Sequence, residues 1–235
     1  MALRTIGAVP SLDFRHAVTS RYSCRAYLNK PVPRETVVSI LQLAGQSPSG
    51  GNLQPWHVRV LTGSALEGLV TRIAQRAKES PEGEAQEYQV YPPRLEEPYR
   101  SRRFKCGEDL YAALGIPRDD RPARLEQFAR NLAFFGAPVA LFFAVDKRMD
   151  RNQWAHLGMF MQTLMLSARE HGLHTCPQES WAVWLPTVAD YLDLPEELRL
   201  YCGMAMGYED AGNPVNRWRT ERAALAEWAT LRGFE

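Results

Sequence analysis

The chain has 235 residues, of which 45% are hydrophobic and 23% are charged. This balance is typical of a globular protein and excludes chain-wide disorder and a collagen-like repeat. Lys and Arg number 28 against 27 Asp and Glu, a net charge of +1. Such an even balance gives no support to nucleic-acid or membrane-surface binding, because both need clustered positive charge. We also expect no membrane-spanning segment and no signal peptide, since no apolar run has the required length and position.

Cysteine and histidine spacing bears on redox compartment and metal binding. The four cysteines are scattered and form no Cys-x-x-Cys pair: Cys24, Cys106, Cys176 and Cys202. This pattern favours reduced thiols and a cytoplasmic protein. His171, His174 and Cys176 are the one local cluster of metal-ligand types. Because His171 is expected to close a helix and His174 to enter a strand, they need not share a face, and we predict no metal site.

Apolar spacing and turn residues predict the elements in chain order. Residues 1–14 are predicted to form an arm. Ser64 and Glu67 have the spacing of a capping box that opens a helix. Further helices are predicted at residues 35–46, 152–171, 186–192 and 223–231, and strands at residues 56–61, 137–145 and 198–208. Because helices and strands follow no regular alternation, we predict an α+β sheet flanked by helices.

Two short motifs stand out for their chemistry. The first is Arg21-Tyr22-Ser23-Cys24-Arg25. If this segment opens a helix, backbone N–H groups, a hydroxyl and two guanidinium groups can converge on one anion; the alternative is a solvated basic turn. The second motif runs from residue 44 to residue 56 and reads AGQSPSGGNLQPW. It carries a helix into a strand through Gln-Pro-Trp, and the alternative is an ordinary connection.

In this order and spacing, the two motifs resemble those of the nitroreductase family of flavoproteins. Residues 172–179, residues 201–208 and the stretch from Arg219 to Arg222 are similar to later segments of the same family. The resemblance covers residues 18–62 and 130–231 and leaves residues 80–123 weakly matched. It implies a single domain over residues 1–235, with a central, mostly antiparallel sheet flanked by helices and an intertwined homodimer.

The resemblance also implies a cofactor and its ligands. The family binds FMN and takes electrons from NAD(P)H. The first motif implies that Arg21, Tyr22, Ser23 and Arg25 hold the phosphate and the O2 side of FMN, with Arg25 tuning its potential. The loop from the partner subunit, the segment near flavin N5 and the C-terminal phosphate ligands correspond to further residues: Pro48, Ser49, Asn52, Pro177, Gln178, Glu179, Arg219 and Arg222.

The implied activity is reduction of a nitroaromatic or quinone-like acceptor by NAD(P)H through a ping-pong mechanism. The motifs demand no side-chain acid or base, so we assign no catalytic residue. Two alternatives remain open. One is another reaction on the same fold, such as reductive dehalogenation of an aromatic compound, and the other is a flavin-binding protein without turnover.

Residues 80–123 are rich in Pro, Glu, Arg and Tyr and are long for a plain loop, which predicts an insertion with short helices. The family commonly covers the open face of the flavin with such a segment. Tyrosine offers a stacking surface and arginine a fork suited to a carboxylate. We therefore predict a small aromatic acceptor with a negative group, with Tyr99, Arg102 and Arg103 as candidate contacts. The alternative is that the arginines pair with surface carboxylates: Glu96, Glu97, Glu108 and Asp109.

Overall fold

A computed structural model describes residues 13–234, and the predicted arm over residues 1–14 lies almost wholly outside them. Four strands form one sheet in the order β1-β2-β4-β3, and every neighbouring pair is antiparallel. The strands are β1 (His57–Thr62), β2 (Val139–Asp146), β3 (His174–Gln178) and β4 (Leu198–Gly207). The predicted strands are confirmed to within two residues at their ends, and β3 begins at His174, the residue expected to enter a strand.

Seven α-helices surround the sheet within the described residues. They are α1 (Phe14–Ser20), α2 (Arg34–Ala44), α3 (Gly63–Glu79), α4 (Tyr99–Ala113), α5 (Arg121–Ala129), α6 (Arg151–Glu170) and α7 (Leu185–Tyr191). With the antiparallel sheet they make an α+β protein, as predicted. None of the helices in residues 13–234 has both the length and the hydrophobicity to span a membrane.

The two central strands carry the core on both faces. Successive side chains of a strand point to opposite faces, and β2 is buried along seven of its eight residues. Leu141 and Phe143 belong to a cluster with α2 and α6, which includes Leu164. Phe142 belongs to the cluster on the other face, where Phe134 and Trp181 lie against it. The strand predicted at residues 137–145 is therefore present and is buried on both faces.

Helix α6 begins and ends as its sequence predicts. At its start the N–H of Asp150 donates to Gln153 Oε1 at 3.2 Å, which satisfies an otherwise free backbone N–H group. Gly172 follows the end with φ +69°, the left-handed conformation that glycine adopts without a steric penalty. These two signals define the longest helix, and its middle lies against the sheet.

The predicted capping box at Ser64 and Glu67 is wrong. Helix α3 begins one residue earlier, at Gly63, and its N-cap is Thr62, which makes no side-chain capping bond. Gly63 has φ +52°, so the chain turns sharply out of β1 directly into the helix. The tight strand-to-helix turn places the start of the helix before the serine can cap it.

The predicted closing helix over residues 223–231 is also wrong. Only a single 3-10 turn forms there, at Leu225–Glu227. The large apolar side chains of this segment, Leu225, Trp228 and Leu231, are exposed by 54%, 69% and 66%. A helix this short gains its stability from packing an apolar face, and the described chain gives this segment no such surface.

The insertion contains one long helix, α4, and the start of α5. Before α4 the chain runs without regular structure and is held by Glu84, whose carboxylate accepts hydrogen bonds from Arg76 and Thr187. Glu84 therefore ties the first part of the insertion to α3 and α7.

No group of three His, Cys, Asp or Glu side chains within residues 13–234 is arranged to hold a metal ion.

Candidate functional site

A cavity of about 600 Å³ opens between the end of α1, the segment that follows it, α4, α6 and the C-terminal tail. This volume is in the usual range for small-molecule sites. Four arginines from distant parts of the sequence meet there: Arg21, Arg25, Arg219 and Arg222. The remaining lining residues are Val18, Thr19, Tyr22, Ser23, Cys106, Gln162, Trp218 and Thr220.

The first motif is extended rather than helical. It follows the end of α1, and Ser23 pairs with Thr175 of β3 in a parallel bridge, while the Cys24 N–H donates to the Thr175 carbonyl at 3.0 Å. Tyr22 and Cys24 are buried. Because side chains alternate along an extended chain, the i, i+2, i+4 spacing of Arg21, Ser23 and Arg25 presents all three to the cavity.

The C-terminal tail completes the cavity through Asn216. Its side-chain oxygen accepts a hydrogen bond from the Arg25 N–H at 3.0 Å, and its amide donates to the Ala26 and Asp210 carbonyls at 2.7 and 2.9 Å. Its own carbonyl accepts from Arg219 Nη1 at 2.6 Å. Asn216 is 3% exposed, so it fastens the tail to the first motif from inside.

The four guanidinium groups make no direct ion pair within the described chain. None of them has a carboxylate within ion-pair distance among residues 13–234. Burial, together with the charge of Arg222, lowers the pKa of Arg21. Arg25 and Arg222 donate instead to backbone carbonyls, those of Ser23 and Glu221, at 3.2 and 2.8 Å. A cavity with converging guanidinium groups is suited to a polyanionic group such as a phosphate.

Tyr22 lies mainly behind this surface. Its ring is 7% exposed, and the guanidinium carbon of Arg219 lies 3.6 Å from the ring centroid. Tyr22 also lines the cavity, and its contact with a ligand stays a prediction.

Pro48, Ser49 and Asn52 are not among the residues that line the cavity within one chain. They follow α2 in a loop where Ser49 Oγ accepts from the Gln54 N–H at 2.9 Å and Asn52 has φ +55°. The loop is mostly exposed, and His156 Nε2 accepts from the Gly50 N–H at 3.2 Å. A single chain therefore does not bring this motif to the four arginines.

Pro177, Gln178 and Glu179 lie at the end of β3 and just after it. Gln178 is buried and donates to the Asn131 carbonyl at 2.8 Å. Glu179 accepts a hydrogen bond from the Tyr201 hydroxyl at 3.4 Å, and burial raises the pKa of its carboxyl. None of the three lines the arginine cavity, but all belong to the strand beside which the first motif runs.

The candidate substrate contacts lie on α4, and two of them have partners other than the expected carboxylates. Arg102 pairs with Glu227 of the tail at 2.9 Å. Arg103 lies over the ring of Tyr91 at 4.1 Å and has no carboxylate partner among the described residues. Tyr99 is 61% exposed at the start of the helix.

The surface-pairing alternative holds for neighbouring charges. Arg100 pairs with Glu97 at 2.8 Å, Lys105 with Asp109 at 2.6 Å, and Arg124 with Glu108 at 2.7 Å. Of the arginines on α4, Arg103 is thus the one without a carboxylate partner among the described residues, and none of Tyr99, Arg102 and Arg103 lines the arginine cavity.

Sequence reasoning missed residues that build the site. Asn216 follows Asn213 and Pro214, whose cap starts a short 3-10 turn, and this turn signal was the one available clue to its position. Cys106 of α4 and Gln162 of α6 line the cavity. Neither residue belongs to a recognisable sequence motif. Their contribution depends on the packing of the two helices.

Comparison with known proteins agrees with this geometry. The profile of the Nitroreductase family matches residues 18–208. The chain is 36% identical to a 4-nitrobenzoate reductase of Pseudomonas putida, over 95% of this chain and 97% of that protein. It is 37% identical to a chloronitrobenzene nitroreductase of Comamonas testosteroni, over 91% and 94% of the two chains. The crystal structure of an FMN and NADPH-dependent nitroreductase, NfnB of sphigopyxis sp. strain HMH, superposes with a TM-score of 0.92 at 43% identity, covering 95% of this chain and all of that one.

Proposed function

Since the chain belongs to the nitroreductase family, we propose that it is an FMN-dependent oxidoreductase that reduces nitroaromatic or quinone-like acceptors with electrons from NAD(P)H. The observation that carries this proposal is the cavity in which four unpaired arginines meet. When bound, FMN supplies the two-electron chemistry, accepting electrons from the nicotinamide and passing them to the acceptor. One site that serves two substrates in turn gives ping-pong kinetics.

The residues of the cavity fit the phosphate end of FMN. Arg21, Arg219 and Arg222 supply forks for the phosphate oxygens, and the Ser23 hydroxyl adds a donor on the same face. Arg25 is placed by its backbone bond to Asn216 and is proposed to face the O2 side of the flavin. Pro177, Gln178 and Glu179 are proposed to place backbone groups near flavin N5, because β3 runs beside the first motif.

The other half of the flavin site is proposed to come from a second copy of the chain. Pro48, Ser49 and Asn52 are exposed or half-buried and do not line the cavity in one chain. An intertwined homodimer would bring this loop of the partner to the flavin. The exposed apolar side chains of the tail, described above, would then be covered by the partner.

The cofactor assignment is tested by Arg21→Ala. Charge-assisted hydrogen bonds contribute roughly 1.5–3 kcal/mol each, so we expect the variant to release FMN on dilution. Flavin fluorescence at a series of dilutions measures the affinity. The matched control is Arg15→Ala, which removes an exposed arginine of α1 outside the cavity. Unchanged flavin affinity in Arg21→Ala would show that FMN does not bind in this cavity.

The reaction is tested by anaerobic reduction of the purified holoenzyme with NADH or NADPH, followed by oxidation with nitroaromatic, quinone and haloaromatic acceptors. We expect the yellow flavin to bleach with a nicotinamide and to recover its colour with a nitroaromatic compound. Recovery with a haloaromatic compound alone favours dehalogenation. A flavin that neither nicotinamide bleaches favours a binding protein without turnover.

The acceptor is proposed to be an aromatic compound with a negative group, and Arg103 is its proposed contact. We expect kcat/KM for 4-nitrobenzoate to exceed that for 4-nitrobenzamide, and Arg103→Ala to abolish the preference. Arg100→Ala is the matched control, since Arg100 is already paired with Glu97. Equal rates for acid and amide in the parent enzyme contradict this assignment and leave the insertion with a structural role.

A further inference from the structure

Three side chains in contact with one another lie behind the arginine cavity: Tyr22, His174 and Glu209. The Tyr22 hydroxyl donates to Glu209 Oε2, and His174 Nε2 lies 3.3 Å from Glu209 Oε1. The Tyr22 and His174 rings are tilted against each other with centroids 4.9 Å apart. Glu209 itself does not line the cavity.

The protonation states of this group follow from its burial. Burial, reinforced by the charge of Arg169, lowers the pKa of His174 to about 4, so the imidazole is neutral near pH 7. Its Nε2–H can then donate to Glu209, which leaves Nδ1 without a partner among the described residues. Burial and the bond to Glu209 raise the pKa of Tyr22 well above its usual value, so the phenol stays a donor. Glu209 is the acceptor that faces both rings' polar atoms.

The group reaches the cavity through Arg219. Its guanidinium carbon lies 3.6 Å from the centroid of the Tyr22 ring, inside the range of a cation–π interaction. A phenol that donates to a carboxylate is polarised toward its ring, which strengthens its attraction for a cation. Glu209 therefore supplies a counter-charge from behind the ring and leaves the cavity free for an anion.

We propose that Glu209 is a positioning residue for the cofactor site: through the Tyr22 hydroxyl it holds the ring on which Arg219 lies, and so keeps that guanidinium oriented toward the ligand phosphate. This inference rests on the proposed function and deepens it at the same site. It predicts that Glu209 affects recognition of the phosphate and leaves recognition of the flavin ring unchanged.

The test compares two ligands that differ only in the phosphate. Kd values for FMN and riboflavin are measured by flavin fluorescence with the full-length apoprotein of the parent, Glu209→Gln, Arg219→Ala and the double variant. Gln keeps the size of the side chain, and His174 can donate or accept at Nε2 by changing tautomer, so the substitution removes mainly the charge. Glu196→Gln is the matched control, an exposed carboxylate with no ion pair in the described structure.

We expect Glu209→Gln to weaken FMN binding roughly tenfold, the change that corresponds to about 1.4 kcal/mol, and to leave riboflavin binding within about twofold. In the Arg219→Ala background we expect the same substitution to have almost no further effect, because the two residues then act as one unit. Glu196→Gln is expected to bind both flavins like the parent.

Three results overturn the proposal. They are equal losses for FMN and riboflavin, additive effects of Glu209→Gln and Arg219→Ala, and unchanged FMN binding in Glu209→Gln. Tyr22→Phe provides an independent variant if Glu209→Gln does not fold. It keeps the ring and removes the hydroxyl, and it is expected to lower the preference for FMN over riboflavin severalfold; an unchanged preference contradicts the proposal. Failure of the parent to bind FMN at all would instead contradict the proposed function.

Discussion

At the scale of single residues, spacing decides which side chains can act together. Arg21, Ser23 and Arg25 are two residues apart, and only an extended chain brings such a series to one face. The hypothesis of a helix start came from the anion-binding chemistry of the motif, and its bridge to Thr175 shows the strand-like conformation instead. The extended conformation brings the three side chains to the cavity, and the anion-binding chemistry expected of them stays a prediction.

A close contact in the core gives a prediction at this scale. A Cβ added to Gly203 would lie 2.5 Å from Cδ1 of the fully buried Trp181. We expect Gly203→Ala to lower the free energy of unfolding by about 1–3 kcal/mol, because overpacking displaces neighbouring groups. Urea denaturation measures the change.

The matched control is Gly107→Ala in α4, where an added Cβ meets no atom within 4 Å. There we expect a gain of about 0.5–1 kcal/mol, since glycine is a poor helix former. If both substitutions lower stability equally, the contact with Trp181 is not the cause.

At the scale of elements, Glu84 joins the insertion to the rest of the protein. Burial alone would raise its pKa, but the hydrogen bonds from Thr187 and Arg76 outweigh burial, and the net pKa is lowered. A carboxyl with a lowered pKa in the folded state stabilises the protein above its unfolded pKa of about 4.3 and loses that effect as the pH falls further.

We therefore expect Glu84→Gln to be less stable than the parent at pH 7 and to approach the parent as the pH is lowered toward about 3. Thermal unfolding between pH 7 and pH 3 measures the difference. The control is Glu82→Gln, an exposed carboxylate nearby, which is expected to follow the parent curve. A stability difference for Glu84→Gln that does not change with pH would show that its carboxylate charge is not what stabilises the fold.

Helix α4 is joined to the tail that carries Arg219 and Arg222. Arg102 pairs with Glu227, and Lys105 lies 3.5 Å from Glu221. Exposed pairs of this kind contribute about 0–1 kcal/mol and weaken with salt. We expect Arg102→Glu to weaken FMN binding by about two- to fivefold at low ionic strength, because the tail is held less firmly.

The exchange variant Arg102→Glu with Glu227→Arg is the matched control for this pair. It restores the ion pair with reversed charges, and we expect it to recover most of the FMN affinity. The difference between single and double variants is expected to shrink in 0.5 M salt, about the condition at which exposed charges are well screened. Equal affinity in the two variants would rule out a role for the pair.

At the scale of the whole molecule, the single chain leaves two features unexplained. Its tail exposes apolar side chains, with Trp228 and Phe234 at 69% and 81%, and its Pro48–Asn52 loop does not line the arginine cavity. The proposed homodimer would account for both. We expect sedimentation at micromolar concentration to give about twice the mass of 26.7 kDa, and FMN to be released when the dimer dissociates. A stable monomer that retains FMN contradicts this prediction.

The sequence by itself determined the elements whose signals are local. Helix α6 has its cap and its terminal glycine within a few residues of its ends, and β2 is recognisable from its own apolar run. The first motif likewise identified Arg21, Ser23 and Arg25, because their chemistry and spacing lie within five residues.

Only the tertiary structure decided the features that depend on distant contacts. The residues after 222 have an amino-acid composition typical of a helix. They have no core surface to pack against among the described residues, and they form only a single 3-10 turn. Asn216 holds the tail against the first motif because two segments that are distant from each other in sequence, residues 25–26 and Asp210, place backbone groups around its side-chain amide. Glu209 and Tyr22 are far apart in sequence and meet because Tyr27 pairs with Glu209 at the end of β4. The physical reason is that burial and charge depend on what surrounds a side chain, and most of those neighbours come from elsewhere in the chain.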